Sequence, residues 1–104
     1  KNLLKIFNDP YLAAAGANVL YTDVWASMGQ ENQENEKSKH FREFIIDNNL
    51  VKKANEDVIV LHCLPAHRGQ EITNEIIDSK NSRIFQQAEN RMHVQQALLA
   101  CLLA

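Results

Sequence analysis

Val58-Ile59-Val60-Leu61-His62-Cys63-Leu64-Pro65 carries an unbroken apolar run into a histidine, a thiol and a proline. A half-exposed strand alternates apolar and polar residues, so a continuous Val/Ile/Leu run bounded by polar residues reads as a strand buried in a parallel sheet. Open parallel sheets gather their ligands beyond the carboxyl ends of the strands. On that reading Cys63 faces a crevice at the end of the strand. Pro65, which has no backbone donor, stops the ladder there.

Strand and helix alternate to either side of this stretch, without repeats or a Gly/Ser linker, which argues for an α/β layer. Asp9 to Ala17 suits a short helix, with Asp9 as N-cap, Pro10 at the first helical position and Gly16 as the stop. Asn18 to Thr22 reads as a short strand, and Arg83 to Gln86 as a third, shorter one. Phe41, Phe44 and Ile45 recur at helical spacing, so Ser38 to Ile46 is expected to lay an apolar face on the sheet. Asn48 to Ala54 and Thr73 to Ser79 read as two further short helices, the latter capped by Thr73 with Ile76 and Ile77 buried. Asn90 to Leu103 is an apolar, wide-faced helix, with Cys101 expected in its core. Gly29 to Lys39 is polar and rich in loop formers, which predicts a solvent-facing loop. The fold class is therefore α/β, a partial doubly wound parallel sheet (Rossmann-like) with flanking helices. Sheets usually hold more than three strands, so further strands are expected before residue 1.

A chain of 104 residues can bury roughly two-thirds of its unfolded surface, enough for one domain or part of a larger one. With 11 basic and 13 acidic side chains the net charge is -2, which gives no footprint for nucleic acid or an anionic membrane. No apolar run approaches the roughly 20 residues of a bilayer span, and Lys1-Asn2-Leu3-Leu4 is not a signal peptide. Two cysteines are too few for a disulfide framework and fit a reducing compartment.

Each expected strand is followed by a chemically useful group: Asp23 after the first, Cys63 after the second, Arg91 shortly after the third. Parallel strands bring all three to one edge of the sheet, and that convergence points to a site. Taken singly, each has a plainer reading. Asp23 suits a turn or N-cap, Cys63 a small buried apolar group, and Arg91 a surface residue at a helix start. A cation is slightly disfavoured at a helix start, so Arg91 there suggests an anionic or polar partner.

Asp23-Val24-Trp25-Ala26-Ser27-Met28-Gly29, taken with His62-Cys63-Leu64-Pro65, resembles the ornithine carbamoyltransferases. The match continues through Ala66-His67-Arg68-Gly69 and Gln87-Ala88-Glu89-Asn90-Arg91-Met92-His93 and covers the chain from Asp9 to its end. Aspartate carbamoyltransferases share the Leu-Pro element but lack the Ser-Met-Gly loop and this cysteine. The resemblance implies that residues 1–104 are the C-terminal part of an ornithine-binding domain, a fragment of a two-domain transcarbamoylase. The family's carbamoyl-phosphate domain, with its Ser-Thr-Arg-Thr loop, is not in this sequence. The final helix, about 90–103, is expected to pack on that domain, and the fragment alone to be catalytically silent.

The resemblance also implies roles. Asp23 binds ornithine, Ser27 and Met28 contact its amino-acid end, and Cys63 lies beside its reacting amine. The Leu64 carbonyl holds the carbamoyl amide, aimed by a cis bond to Pro65. Arg91 contacts carbamoyl phosphate with forked donors. Asp23 and Cys63 are the catalytic candidates, the thiol taking part in proton transfer from the amine beside an aspartate. The polar loop after Gly29 is either a solvated connector or a lid over ornithine. His62 reads as a satisfied histidine behind the site. His62, Cys63, His67 and His93 lack the spacing of a dedicated zinc site, so no metal and no cofactor is expected. The implied partners are L-ornithine and carbamoyl phosphate, within a homotrimer in the cytoplasm or the mitochondrial matrix. Two other readings stand beside this one: a carbamoyltransferase for putrescine or an acylated ornithine, and a non-catalytic α/β binding module.

Overall fold

The computed structural model describes residues 3–25, 39 and 41–104. Helix α1 (Pro10–Ala14) begins as its sequence dictates. The Asp9 carboxylate accepts the backbone N–H groups of Tyr11 at 2.8 Å and Leu12 at 3.3 Å, with Pro10 in the first turn. Gly16 supplies the left-handed turn that ends it, at φ 69°. Strand β1 (Val19–Thr22) follows. Helix α2 (Asn48–Val51) is capped by Asp47, which accepts the Leu50 N–H at 2.8 Å.

Strand β2 (Ile59–His62) lies parallel to β1, with Val19 opposite Ile59, Leu20 opposite Val60, Tyr21 opposite Leu61 and Thr22 opposite His62. This register brings Asp23 and Cys63, the next residue of each strand, to the same sheet edge. The two faces differ. Val60 and His62 are buried beside Leu20, whereas Ile59 and Leu61 are only half-buried and Val19 and Tyr21 are exposed. The continuous apolar run thus conceals a one-sided burial within the described residues.

Helix α3 (Asn74–Ile77) buries Ile76 and Ile77 as expected, with Thr73 at its N-cap position. The Thr73 side chain makes no cap hydrogen bond, and its hydroxyl oxygen is buried without a partner among the described residues. Leu20, Val60, Ala14 of α1, Leu50 of α2, and Ile46, Val58, Ile72, Ile76, Ile77 and Ile84 form one core cluster.

A third strand at Arg83 to Gln86 does not form. Ser82 makes a single parallel bridge to Val60, secured by Val60 N–H to the Asn81 carbonyl and Arg83 N–H to the Val60 carbonyl, both 2.9 Å. Helix α4 (Ile84–Leu103) starts at the next residue but one. Nothing in Ile84-Phe85-Gln86-Gln87-Ala88-Glu89 resists a helix, and a two-residue apolar pair cannot compete with a twenty-residue one. Helix α4 therefore begins six residues before the expected Asn90.

Within the described part of Ser38 to Ile46, a 3₁₀ turn spans Arg42–Phe44 and Ile46 already bridges to Ile72. Phe41 and Phe44 keep about 40 % exposure rather than disappearing into the sheet; Phe41 stacks on Trp25 at 6.3 Å and meets Phe44 edge-on at 6.2 Å. Most of the Gly29 to Lys39 loop lies outside the described residues. Cys101 is exposed rather than core, because the apolar face of α4 with Val94, Leu98, Leu99, Leu102 and Leu103 has no cover among the described residues. Among the described residues no helix is long and apolar enough to cross a membrane.

Candidate active site

The ends of β1 and β2 bring a thiol and a carboxylate into contact. Cys63 Sγ donates to Asp23 Oδ1 at 2.9 Å, and the same oxygen accepts the Val24 N–H at 2.7 Å. The two donors hold the Asp23 carboxyl below the ordinary carboxylate range, the thiol contributing most and the Val24 amide next. Conversely, the hydrogen bond to Asp23 pushes the Cys63 thiol up, helped by partial burial and by the charge of the carboxylate. At neutral pH the pair is a protonated thiol beside a carboxylate.

His62 points the other way. It is 1 % exposed, and its imidazole links the backbone of the Cys63-Leu64-Pro65 turn to the Glu71 carboxylate. Nδ1 accepts the Leu64 N–H at 2.8 Å, which places the ring proton on Nε2, where it is donated to Glu71 Oε1 at 2.9 Å. Glu71 is fully buried, and Oε1 also accepts the His67 N–H at 2.6 Å. Its other oxygen has no hydrogen-bond partner among the described residues, and His67 Nδ1 lies 3.9 Å from it. Leu64 has φ 57°, a left-handed conformation uncommon for a non-glycine residue, and its bond to Pro65 is cis. The His62–Glu71 pair grips the amide of that unusual residue. Beyond it, Arg68 makes a two-pronged contact with Asp78 at 2.7 and 2.9 Å, tying the outgoing loop to the end of α3.

Of the residues expected at the site, Asp23 and Cys63 touch, with Leu64 and Pro65 beside them and His62 behind. Ser27 and Met28 lie outside the described residues. Arg91 is not at a helix start: it is exposed within α4, one turn beyond Gln87 and on the same side of the helix. Gln87 reaches the sheet edge, its Oε1 accepting the His62 N–H at 3.0 Å and its Nε2 lying 3.3 Å from the Tyr21 hydroxyl. Three site-shaping residues, Glu71, Gln87 and Tyr21, were not singled out from the sequence. Only the family motif around Gln87 gave any signal for them. Among the described residues no group of three or more His, Cys, Asp or Glu side chains is arranged to hold a metal ion.

A family model described as "Aspartate/ornithine carbamoyltransferase, Asp/Orn binding domain" matches residues 1–102. The chain belongs to that family. Among curated relatives, an ornithine carbamoyltransferase from Prochlorococcus marinus is 67 % identical over 104 residues, covering 100 % of the chain and 34 % of the relative. Among solved structures, the ornithine carbamoyltransferase from Pyrococcus furiosus is 55 % identical with a TM-score of 0.82, over 88 % of this chain and 29 % of that one. An acetylornithine transcarbamylase complexed with acetylcitrulline is also similar, at 35 % identity and a TM-score of 0.72, over 90 % and 29 % respectively. The chain thus spans about a third of the length of the relatives it matches. Its fold is the expected α/β type, with a parallel pair of strands and flanking helices.

Proposed function

We propose that this chain is the ornithine-binding part of an ornithine carbamoyltransferase, which moves the carbamoyl group of carbamoyl phosphate to the side-chain amine of L-ornithine, giving L-citrulline and phosphate. The observation that carries the reading is the Cys63 thiol donating to the Asp23 carboxylate at 2.9 Å, at the adjoining ends of two parallel strands. Relatives of that name at 67 and 68 % identity support it.

The chemistry needs a neutral amine. An alkylammonium with a pKa near that of lysine is only about one part in 2,500 neutral at pH 7, a cost of roughly 4.6 kcal/mol. A thiol–carboxylate pair carries one negative charge and one movable proton. It attracts the ammonium and then takes its proton: the nitrogen gives H⁺ to Sγ as Sγ passes its own to Asp23 Oδ1. The nitrogen lone pair then bonds to the carbamoyl carbon, the C–O bond to phosphate breaks with its electrons on phosphate, and the nitrogen's second proton leaves with the departing phosphate. Because the thiol is pushed up rather than down, Cys63 is a poor nucleophile at neutral pH, and no acyl-enzyme is required. Leu64 offers its carbonyl and Arg91 its guanidinium to carbamoyl phosphate, while Ser27 and Met28 receive the amino-acid end of ornithine. The exposed apolar face of α4 packs on the remainder of the protein, which assembles as a homotrimer.

A carbamoyltransferase for an acylated ornithine is the second reading, favoured by the likeness to the acetylornithine transcarbamylase. Full-length protein supplied with carbamoyl phosphate and, separately, L-ornithine, N-acetyl-L-ornithine, putrescine and L-aspartate decides between them. Ornithine is expected to exceed the others in kcat/KM by at least about 10²-fold, since a site built to bond an amino-acid end rejects analogues that leave its polar groups unpaired. A preference for N-acetylornithine, or no carbamoylation of any amine, contradicts the proposal.

A further inference from the structure

We propose that Gln87 is a positioning residue for Arg91: its side-chain amide takes the place of a third strand at the end of β2 and so fixes the turn of α4 that carries the guanidinium. The inference rests on the reading of Arg91 as the group that meets carbamoyl phosphate. The parallel bridge of Val60 to Ser82 uses the Val60 N–H on the Asn81 carbonyl and the Arg83 N–H on the Val60 carbonyl. Continued by one step, that ladder would offer the Arg83 carbonyl to the His62 N–H. The carbonyl is instead taken by the Gln87 N–H at 2.8 Å, the bond that opens the helix. Gln87 returns an acceptor to the strand, its Oε1 lying 3.0 Å from the His62 nitrogen. The His62 N–H can only donate, so the Gln87 atom facing it is the oxygen and the group 3.3 Å from the Tyr21 hydroxyl is the NH₂.

One side chain therefore joins α4 to both strands, at the residue before Cys63 on β2 and two residues before Asp23 on β1. Within α4 only Ile84 is buried, and of the residues after it Gln87 alone is half-buried while the others are exposed. Among the described residues, Gln87 is thus the last grip of the sheet on the helix. Arg91 follows one turn later, about 6 Å along the axis and on the same side. With Gln87 held, that turn keeps a set distance from the strand ends where the amine is received. Without it, the last bond between sheet and helix is that of Arg83, about two turns before Arg91. A long side chain whose root is already fixed loses less freedom when it takes hold of an anion, so the anchor should appear as affinity.

The test is calorimetric titration of full-length protein with carbamoyl phosphate, without any amine, for wild type, Gln87→Met, Arg91→Ala and the double variant. Met keeps the length and helix propensity of Gln but offers no partner to the His62 N–H or the Tyr21 hydroxyl. Gln87→Met should raise Kd by about 3- to 10-fold, the effect of a hydrogen bond, and Arg91→Ala by at least about 10-fold, that of a charged one. In the Arg91→Ala background Gln87→Met should change Kd no further, because its effect passes through the guanidinium. A merely structural Gln87 would lower the number of sites titrated and leave their Kd alone. Should Gln87→Met not fold, Tyr21→Phe takes its place in the cycle: Tyr21 is exposed, and its loss removes one of the two anchors of the amide, for a rise in Kd of about 2-fold that vanishes with Arg91→Ala. An unmoved Kd in the substituted protein, or an effect that persists in full without Arg91, overturns the proposal. Binding needs no turnover, so full-length protein that shows this pattern yet makes no citrulline would sink the ornithine reading and leave this inference standing.

Discussion

Replacing Asp23 by Asn in the full-length protein is expected to lower kcat for citrulline formation by about 10²- to 10⁴-fold, the range of a positioned acid–base group. Asn is the informative choice. Its amide oxygen can still accept the Val24 N–H that Asp23 accepts at 2.7 Å, so the turn at the end of β1 survives. The variant loses only the charge and the capacity to take the proton from Sγ. Steady-state kinetics with ornithine as the varied substrate separate the two: the lost charge raises KM, and the lost proton acceptor lowers kcat. If Asp23 were no more than a turn residue, Asn would keep near-full activity. The carboxyl is held low, chiefly by the Cys63 hydrogen bond, so wild-type Asp23 stays ionised to pH values below the ordinary carboxylate range. Protonation of Asp23 should therefore set no limb of the rate profile at neutral pH.

The second large effect belongs to Glu71→Ala. This fully buried side chain accepts from His62 Nε2 at 2.9 Å and from the His67 N–H at 2.6 Å, and Ala leaves both donors with nothing. An unsatisfied buried donor costs about 1–3 kcal/mol, so loss of two is severe against the 5–15 kcal/mol that holds a typical domain. Turnover should fall as well, for a geometric reason. The imidazole grips the Leu64 N–H at 2.8 Å, and Leu64 sits at φ 57°, where non-glycine backbone persists only if its surroundings impose it. With His62 free to rotate, the Leu64 carbonyl loses its fixed aim. Urea unfolding and citrulline formation measured on the same preparation check both halves. Glu71→Gln, which keeps one acceptor oxygen, should be milder in each. An unfolding free energy for Glu71→Ala within about 0.5 kcal/mol of wild type, as for an ordinary surface substitution, contradicts this account.

The site was partly legible in the sequence because strand ends in a parallel sheet are local features. The apolar run into Cys63 and the short run into Asp23 each announce a strand, and parallel pairing brings their ends together with no further information. The cap at Asp9 and the stop at Gly16 are equally local. Glu71 was not legible. Nine residues from its partner and preceded by Arg68, Gly69 and Gln70, it looks like a surface carboxylate until the loop folds back and buries it against His62. Tyr21 and Gln87 escaped for the same reason, their contact spanning 66 residues. The expected strand at Arg83 to Gln86 failed because one bridge at Ser82 satisfies the edge of β2 and the helix then takes over. That shift moved Arg91 from a helix start to the interior of α4, and Cys101 onto a helix face that the described residues do not cover.

The claim at the centre is that the ornithine amine is received by the Cys63–Asp23 pair. Citrulline formation by full-length protein, wild type against Cys63→Ser, across pH 6–10 tests it most directly. Serine keeps a hydrogen-bond donor to Asp23 but has far weaker proton exchange than a thiol, so kcat is expected to fall by about 10²- to 10⁴-fold, with a changed pH dependence. Full turnover and an unchanged pH profile in Cys63→Ser would contradict it.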